Sequence, residues 1–444
     1  MTLTALRWRY LVLSGLRWLP VGMWIPVLVL VPLGRGLDIL DVGVLFAVHG
    51  ITVAVLELPT GGWADAIGRR PVALLASALS LIGMVGWVVA DGMAGFLVAE
   101  LAVAVGRALD SGPMDAWFID EARLVDDGHD PEPDLARVSV VVNAALATGA
   151  LLAGLVGLTH DAASVGAASS IGGARWGRLL GQDLVALDVP LLTAVLAGAL
   201  HLTALFVLMR ETPKGRGRAA GDHEATAHRV VAAQASGRIG VAGLATVAAV
   251  RRGVALVRGS RALQAIIIAE ALWGVSLASV ELLWQPRLAE LAPAAAARPL
   301  VPALLVAAGF GAGAAGAALA PVIRRATATT GGAAAFSRVG QAIALILLAA
   351  VTGPLGLAGA YVMVYAGNGA SGPPHLTLLH RPVAAAERAT VLSVHSLGGQ
   401  VGGTVGSLGL AAVAGASSMS VAWLVAAVVL AATAALYPYA ERHA

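Results

Sequence analysis

The chain has no cysteine and a single lysine, Lys214. Without a thiol there is no disulfide, no thiolate metal centre and no cysteine nucleophile, so chemistry falls to carboxylates and histidines or is non-covalent. Charge is scarce too: Asp, Glu, Lys and Arg make up 12% of the sequence and apolar residues 58%, whereas a soluble domain carries about 25% charged residues. No His-Glu-x-x-His, nucleotide-binding loop or Ser–His pairing stands in the sequence, which argues against a polytopic enzyme, a metal centre or a cofactor. Gly311-x-Gly313-x-x-Gly316 mimics a dinucleotide fingerprint but lies in an apolar run with no strand before it.

What the chain has is long apolar runs. With 444 residues and a mean hydropathy of +0.83, it reads as an all-α protein that crosses a lipid bilayer many times. A crossing needs ~20 helical residues. The runs predict twelve spans: Arg9–Leu33, Ile39–Thr60, Val72–Ala90, Ala94–Phe118, Arg137–Leu158, Val189–Met209, Leu263–Gln285, Leu300–Ile323, Ala333–Val351, Leu357–Leu379, Ala389–Ala414 and Val421–Tyr437. The basic start, Met1 to Arg9, leads into a run too long for a signal peptide, so the first span is expected to stay. A polar loop, Asp120 to Ala136, separates spans four and five. Thr159 to Asp188 predicts a partly ordered outer lid, with a floppy insertion as the alternative. The division is residues 1–209, a polar linker 210–260, and 261–444. Within the linker, Ile239 to Val257 alternates apolar residues with arginines and predicts an amphipathic helix on the membrane surface.

An isoelectric point near 9.7 suggests nucleic acid, yet the basic residues are segregated by loop and form no binding face. With both termini cytoplasmic, inner segments hold 22 of the 29 Arg and Lys residues. Outer loops hold Arg35, Arg175, Arg178, Arg287 and Arg298, and Arg17 and Arg107 fall inside spans. That skew matches the positive-inside rule and predicts both ends in the cytoplasm.

Between spans two and three stands Gly61-Gly62-Trp63-Ala64-Asp65-Ala66-Ile67-Gly68-Arg69-Arg70-Pro71, a glycine-broken charged turn. Its pattern Gly-x-x-x-Asp-x-x-Gly-Arg-Arg resembles the loop 2–3 signature of the major facilitator superfamily, with Ala66 where the family places Arg or Lys. The counterpart in the second half, Ile323-Arg324-Arg325-Ala326 to Gly331-Gly332, keeps arginines and glycines without the aspartate. Glu57 to Gly61, Ser111 to Glu121, Trp284-Gln285-Pro286 and Arg388 to Ser393 resemble a bacterial branch of these transporters grouped with drug exporters. The resemblance implies two six-helix bundles rocking about a midplane site. It also implies a cytoplasmic gate in which Asp65 caps the eleventh span near Ala389, Arg69 or Arg70 pairs with Asp120, and Gly61 and Gly68 permit the tight turn.

Ionisable side chains inside spans are costly, so each is a functional candidate. Glu100, Arg107 and Asp110 are spaced to share one face of the fourth span, and Arg107 with Asp110 is the expected polar pair. Glu270 and Glu281 each precede a tryptophan, Trp273 and Trp284, by three residues. A carboxylate beside an indole suits a proton or cargo site, with Glu270 and Trp273 preferred and Trp284 an interface anchor. Arg17, His49 and Asn368 complete the expected cavity. His49 ranks above His201, because the sixth span is expected to face lipid. The glycines at 309–313 and 398–403 read as close-packed moving parts. The expected function is a monomeric transporter of a small, largely apolar molecule, exported in exchange for protons across the cytoplasmic membrane. Import of a metabolite and a non-transporting role on the same scaffold stand as alternatives.

Overall fold

The computed structural model describes residues 2–61, 63–110, 112–166, 188–211, 251–384 and 387–444, with residues 58–61, 65, 66, 159–166 and 389 described by their backbone alone. Residues 167–187 of the expected lid, residues 239–250 of the expected linker helix and the side chain of Asp65 therefore lie outside the described residues, as does the cap on Ala389.

The described residues form twelve long helices: α1 Leu3–Trp24, α2 Ile39–Gly61, α3 Arg69–Val89, α4 Gly92–Leu109, α5 Glu132–Gly166, α6 Asp188–Leu208, α7 Arg261–Leu291, α8 Leu300–Thr327, α9 Thr330–Ala350, α10 Pro354–His380, α11 Arg388–Ala416 and α12 Met419–Arg442. Eleven spans are long and apolar enough to cross a membrane. Absent from that set is α10, whose second half carries Asn368, Ser371, Pro373, Pro374 and His375. Side-chain caps set several starts: Ser260 accepts from Leu263 N, Thr329 from Gly332 N and Ser418 from Val421 N, each satisfying one of the amides a first turn leaves open.

Two expected spans differ in outline. The first does not run to Leu33: α1 ends at Trp24, a 3-10 turn spans Ile25–Val27 around Pro26, and a short helix follows at Leu30–Gly34. Proline cannot donate to the preceding turn, so the ladder breaks there. The fourth is not continuous to Phe118. It stops at Leu109, Gly112 turns at φ +98°, and Pro113 opens a separate helix, Pro113–Val125. Only glycine adopts that φ without strain, and proline fits a first helical position. The expected loop at 120–136 is correspondingly shorter, because this helix and the start of α5 occupy most of it.

The first six helices pack mainly on one another, as do the last six, and α2 meets α11 and α5 meets α8 across the two sets. Both termini lie at one end, here called proximal. There α6 finishes beside the start of α1, with Arg9 Nη1 donating to Leu208 O at 3.4 Å. Likewise α12 finishes beside the start of α7, where Tyr437 and Leu263 share an apolar cluster. Residues 251–259 are helical and lie on the start of α11, since a Cβ added at Gly253 would stand 2.9 Å from Thr390 Cγ2.

In lipid there is no hydrophobic drive between helices, so small residues that let backbones approach hold such bundles together. A Cβ at Gly316 would fall on the Ala366 carbonyl, joining α8 to α10, and one at Gly402 would fall on the Ala271 carbonyl, joining α11 to α7. The glycine-rich stretches thus divide: Gly316 and Gly402 are contact points, while Gly311 and Gly403 have open space beside them.

Candidate functional site

Between the two sets of helices lies a cavity of about 680 Å³, with Arg17, His49, Arg107, Asp110, Glu270 and Trp273 among its lining residues. The sequence places those six in four helices and at the end of α4, and the fold brings them to one space. Asn368 stands one step behind, accepting a 2.9 Å hydrogen bond from Trp273 Nε1. Its role is to hold the indole, not to line the cavity.

On the first wall, Asp110 Oδ2 pairs with Arg17 Nε. The expected partner was Arg107, and the correction follows from the helix break: Asp110 lies past the end of α4, so the three-residue spacing no longer places it over Arg107. Arg107 lines the cavity, and Glu57 is a carboxylate that acts on it electrostatically. His49 Nδ1 lies 2.6 Å from Glu100 Oε1, and the other Glu100 oxygen accepts from Trp87 Nε1 at 2.9 Å. Trp87 is wedged edge-on between Trp24 and Phe96, so Glu100 is fixed by a rigid aromatic donor. His201 is buried, lines the cavity and lies 3.2 Å from Ser77 Oγ, so α6 does not turn it toward lipid as expected.

The second wall holds a group that sequence spacing does not reveal. Glu270 Oε2 lies 3.3 Å from His395 Nε2 and 3.5 Å from His375 Nε2, and the two ring nitrogens are 2.7 Å apart. Tyr437 Oη is 3.0 Å from His375 Nδ1 and accepts from Arg338 Nε at 3.2 Å. Arg338 also donates to Gln341 Oε1 at 2.8 Å and sits 5.4 Å over the Trp273 ring. The signal available in the sequence was that His375 and His395 fall inside apolar runs, where every ionisable residue is a candidate. Glu281 also faces the cavity.

At its distal end the space is closed by contacts between the sets. The break after α1 leaves backbone groups without helical partners, and Gln285 of α7 supplies them: its Oε1 accepts from Val29 N at 3.0 Å and Leu30 N at 3.2 Å, and its Nε2 donates to Ile25 O at 2.8 Å. Gln285 is 1% exposed. Trp284, expected as an interface anchor, is instead buried against Tyr361, with ring centroids 5.0 Å apart. A Cβ at Gly43 would stand 2.6 Å from Ser407 O, and one at Gly154 2.6 Å from Ala303 Cβ, so α2–α11 and α5–α8 are also in close contact in their distal halves.

At the proximal end, Gly61 ends α2 and Asp65 lies in the short helix Trp63–Ile67. Gly68 takes φ +116° before Arg69 and Arg70 open α3. Arg69 Nη2 donates to Asp120 Oδ2 at 3.3 Å, and Arg70 Nη2 to Phe206 O at 2.7 Å. Glu211, which the sequence reading did not single out, receives Arg69 N at 3.0 Å and Arg70 N at 3.1 Å. A carboxylate there satisfies open amides and the positive end of the helix dipole. Glu441 does the same for α9, receiving Thr330 N at 3.0 Å and Gly331 N at 2.7 Å.

No family model and no curated protein matches the chain. Solved structures do match over its whole length. A bacterial homologue of the human lysosomal transporter Spinster, in an inward-facing, unoccupied conformation, superposes with a TM-score of 0.72 at 14% identity, covering 99% of this chain and 97% of that one. The nucleoside transporter NupG gives 0.70 at 13% identity, covering 99% and 100%. A structure described for substrate recognition in proton-dependent oligopeptide transporters gives 0.66 at 14% identity, covering 100% of both chains. The chain therefore has the twelve-helix fold of the major facilitator superfamily and is a multi-pass membrane protein. Identities this low establish the fold and nothing finer.

Proposed function

We propose that the protein is a secondary transporter that moves a small molecule across the cytoplasmic membrane by alternating access, working as a monomer. The observation that carries this reading is a cavity between two six-helix sets, lined by ionisable groups from both and sealed by cross-set contacts at its distal end. An apolar protein holds such charges in its spans only at a cost, and a passage for cargo and ions is the usual return. The arginine distribution puts the proximal end in the cytoplasm, which makes this an inward-facing form with its outer gate shut.

Trp18, Trp24 and Phe46 offer the cargo an apolar surface, and Arg107 offers it one cation. His49 with Glu100, 2.6 Å apart and able to share a proton, forms the proton-carrying pair on the first wall. The protein exports a largely apolar compound as protons enter. The cytoplasmic gate is the Gly61–Arg70 turn, with Arg69 on Asp120 tying α3 to the Pro113–Val125 helix.

Uptake is the second reading. It is favoured by Arg107, whose guanidinium in the cavity lining suits a metabolite with an anionic group, and solved structures of this fold include nucleoside and proton-dependent oligopeptide transporters. Transport in inverted vesicles, with and without a protonophore, tests both. Export predicts accumulation in those vesicles that collapses with the pH gradient and in Glu100→Gln; accumulation untouched by the protonophore rejects proton coupling.

A further inference from the structure

Glu270 on α7, His375 on α10 and His395 on α11 each turn one donor atom toward a common point. From this arrangement we propose that the three side chains bind a divalent transition-metal ion of the zinc class, through the two Nε2 atoms and the carboxylate, with a remaining coordination position open to the cavity.

The donor spacing is the first argument. Around a tetrahedral ion with bonds of ~2.0–2.1 Å, neighbouring donors stand ~3.3 Å apart. Here the three separations are 2.7, 3.3 and 3.5 Å, so the triad straddles that value with side-chain shifts of a few tenths of an ångström. The donor set is the second. Two imidazoles and one carboxylate with an open position suit zinc and its neighbours, whereas magnesium and calcium take oxygen ligands.

The surroundings fit as well. To offer a lone pair at Nε2, His375 must carry its proton on Nδ1, and that atom lies 3.0 Å from Tyr437 Oη. The phenol oxygen has two lone pairs, one for Arg338 Nε and one for His375 Nδ1. Such an outer partner fixes the tautomer and orientation of a metal-binding imidazole. Glu270 and His395 line the cavity while His375 lies behind them, so the open position faces the cargo space. One turn beyond His395 on α11, a Cβ at Gly399 would stand 3.1 Å from Glu270 Oε1, and glycine leaves that approach free. Arg338, buried behind Tyr437, opposes a further cation and keeps the affinity below that of a closed structural centre. That weakness suits an ion that must load and leave.

The site is independent of the transport reading, and direct binding tests it. The full-length protein, purified in detergent with any histidine tag removed, is titrated with Zn²⁺ against a competing chelator and with Co²⁺ followed by visible absorption. The expected result is one ion per chain and the intense Co²⁺ absorption of a low-coordinate centre. His395→Ala and Glu270→Gln weaken binding by more than the roughly 10–100-fold that loss of an outer partner costs, and Tyr437→Phe falls within that range. His129→Ala removes a histidine paired with Asp134 elsewhere and binds like the parent. Thermal melting checks that each variant folds, and His395→Gln replaces any that does not. No bound ion, the weak spectrum of six-coordinate Co²⁺, or affinity unchanged in both His395 and Glu270 variants overturns the proposal. Intact metal binding without transport of any cargo counts against the transporter and leaves the site standing.

Discussion

The two walls of the cavity handle buried carboxylates differently. On the first, Asp110 faces the guanidinium of Arg17. On the second, Glu270 faces two imidazoles, which are charged only when protonated and serve equally as metal ligands. The helix caps behind them are alike: Glu211 closes α3 and Glu441 closes α9. The two halves thus share a scaffold and differ where the cargo would sit. The first wall pairs one carboxylate, Asp110, with a guanidinium and another, Glu100, with an imidazole, and the second gathers Glu270 and two imidazoles, a set whose charge depends on what it binds.

The largest expected effect breaks the fixed pair. Asp110→Asn leaves Arg17 and Arg107 side by side in the cavity wall and should cost about 3 kcal/mol of stability, the low end for a broken buried pair, because the partners keep 13% and 15% exposure. Glu270→Gln, which faces imidazole nitrogens at 3.3 and 3.5 Å, should cost about 1 kcal/mol, as for a lost hydrogen bond. Thermal melts in detergent compare them, and equal losses would erase the distinction between the walls.

Next comes the contact that joins the halves. Gln285→Ala leaves Val29 N and Leu30 N without this partner only while the distal end is closed. Loss of such bonds costs about 1–3 kcal/mol, so the open form should gain roughly tenfold or more in population. Distance measurements between spin labels on α1 and α7 read this directly. Smallest are the caps. Glu211→Gln and Glu441→Gln should each lower stability by about 0.3–1 kcal/mol. Only the Glu211 variant should also slow transport, because it releases the start of α3 that carries Arg69.

Much of this architecture was legible in the sequence, since apolar runs report spans directly and the loop pattern from Gly61 to Arg70 names their arrangement. Six of the seven expected cavity residues do line the cavity, because ionisable groups in such runs have few other places to go. The misses are local or long-range. The partner of Asp110 was misassigned because residue spacing presumes a continuous helix, and Gly112 with Pro113 ends that helix early. The approach of His375 and His395 to Glu270 joins three helices across more than a hundred residues and leaves no spacing to read. Gln285 was visible only as part of a familiar tripeptide. Its role depends on the break at Pro26, which hydropathy does not register.

The absence of cysteine makes one measurement especially direct. Leu277 lines the cavity, and Leu277→Cys would be the chain's single thiol. In the parent background it should react with a membrane-impermeant maleimide from the face bearing the termini. With Gly43→Leu added, whose first side-chain carbon would already stand 2.6 Å from Ser407 O and from Ala411 Cβ, the distal contact is forced apart and labelling should move to the opposite face. Labelling from both faces in one background, or no change of face between the two, would contradict a cavity served from alternate sides.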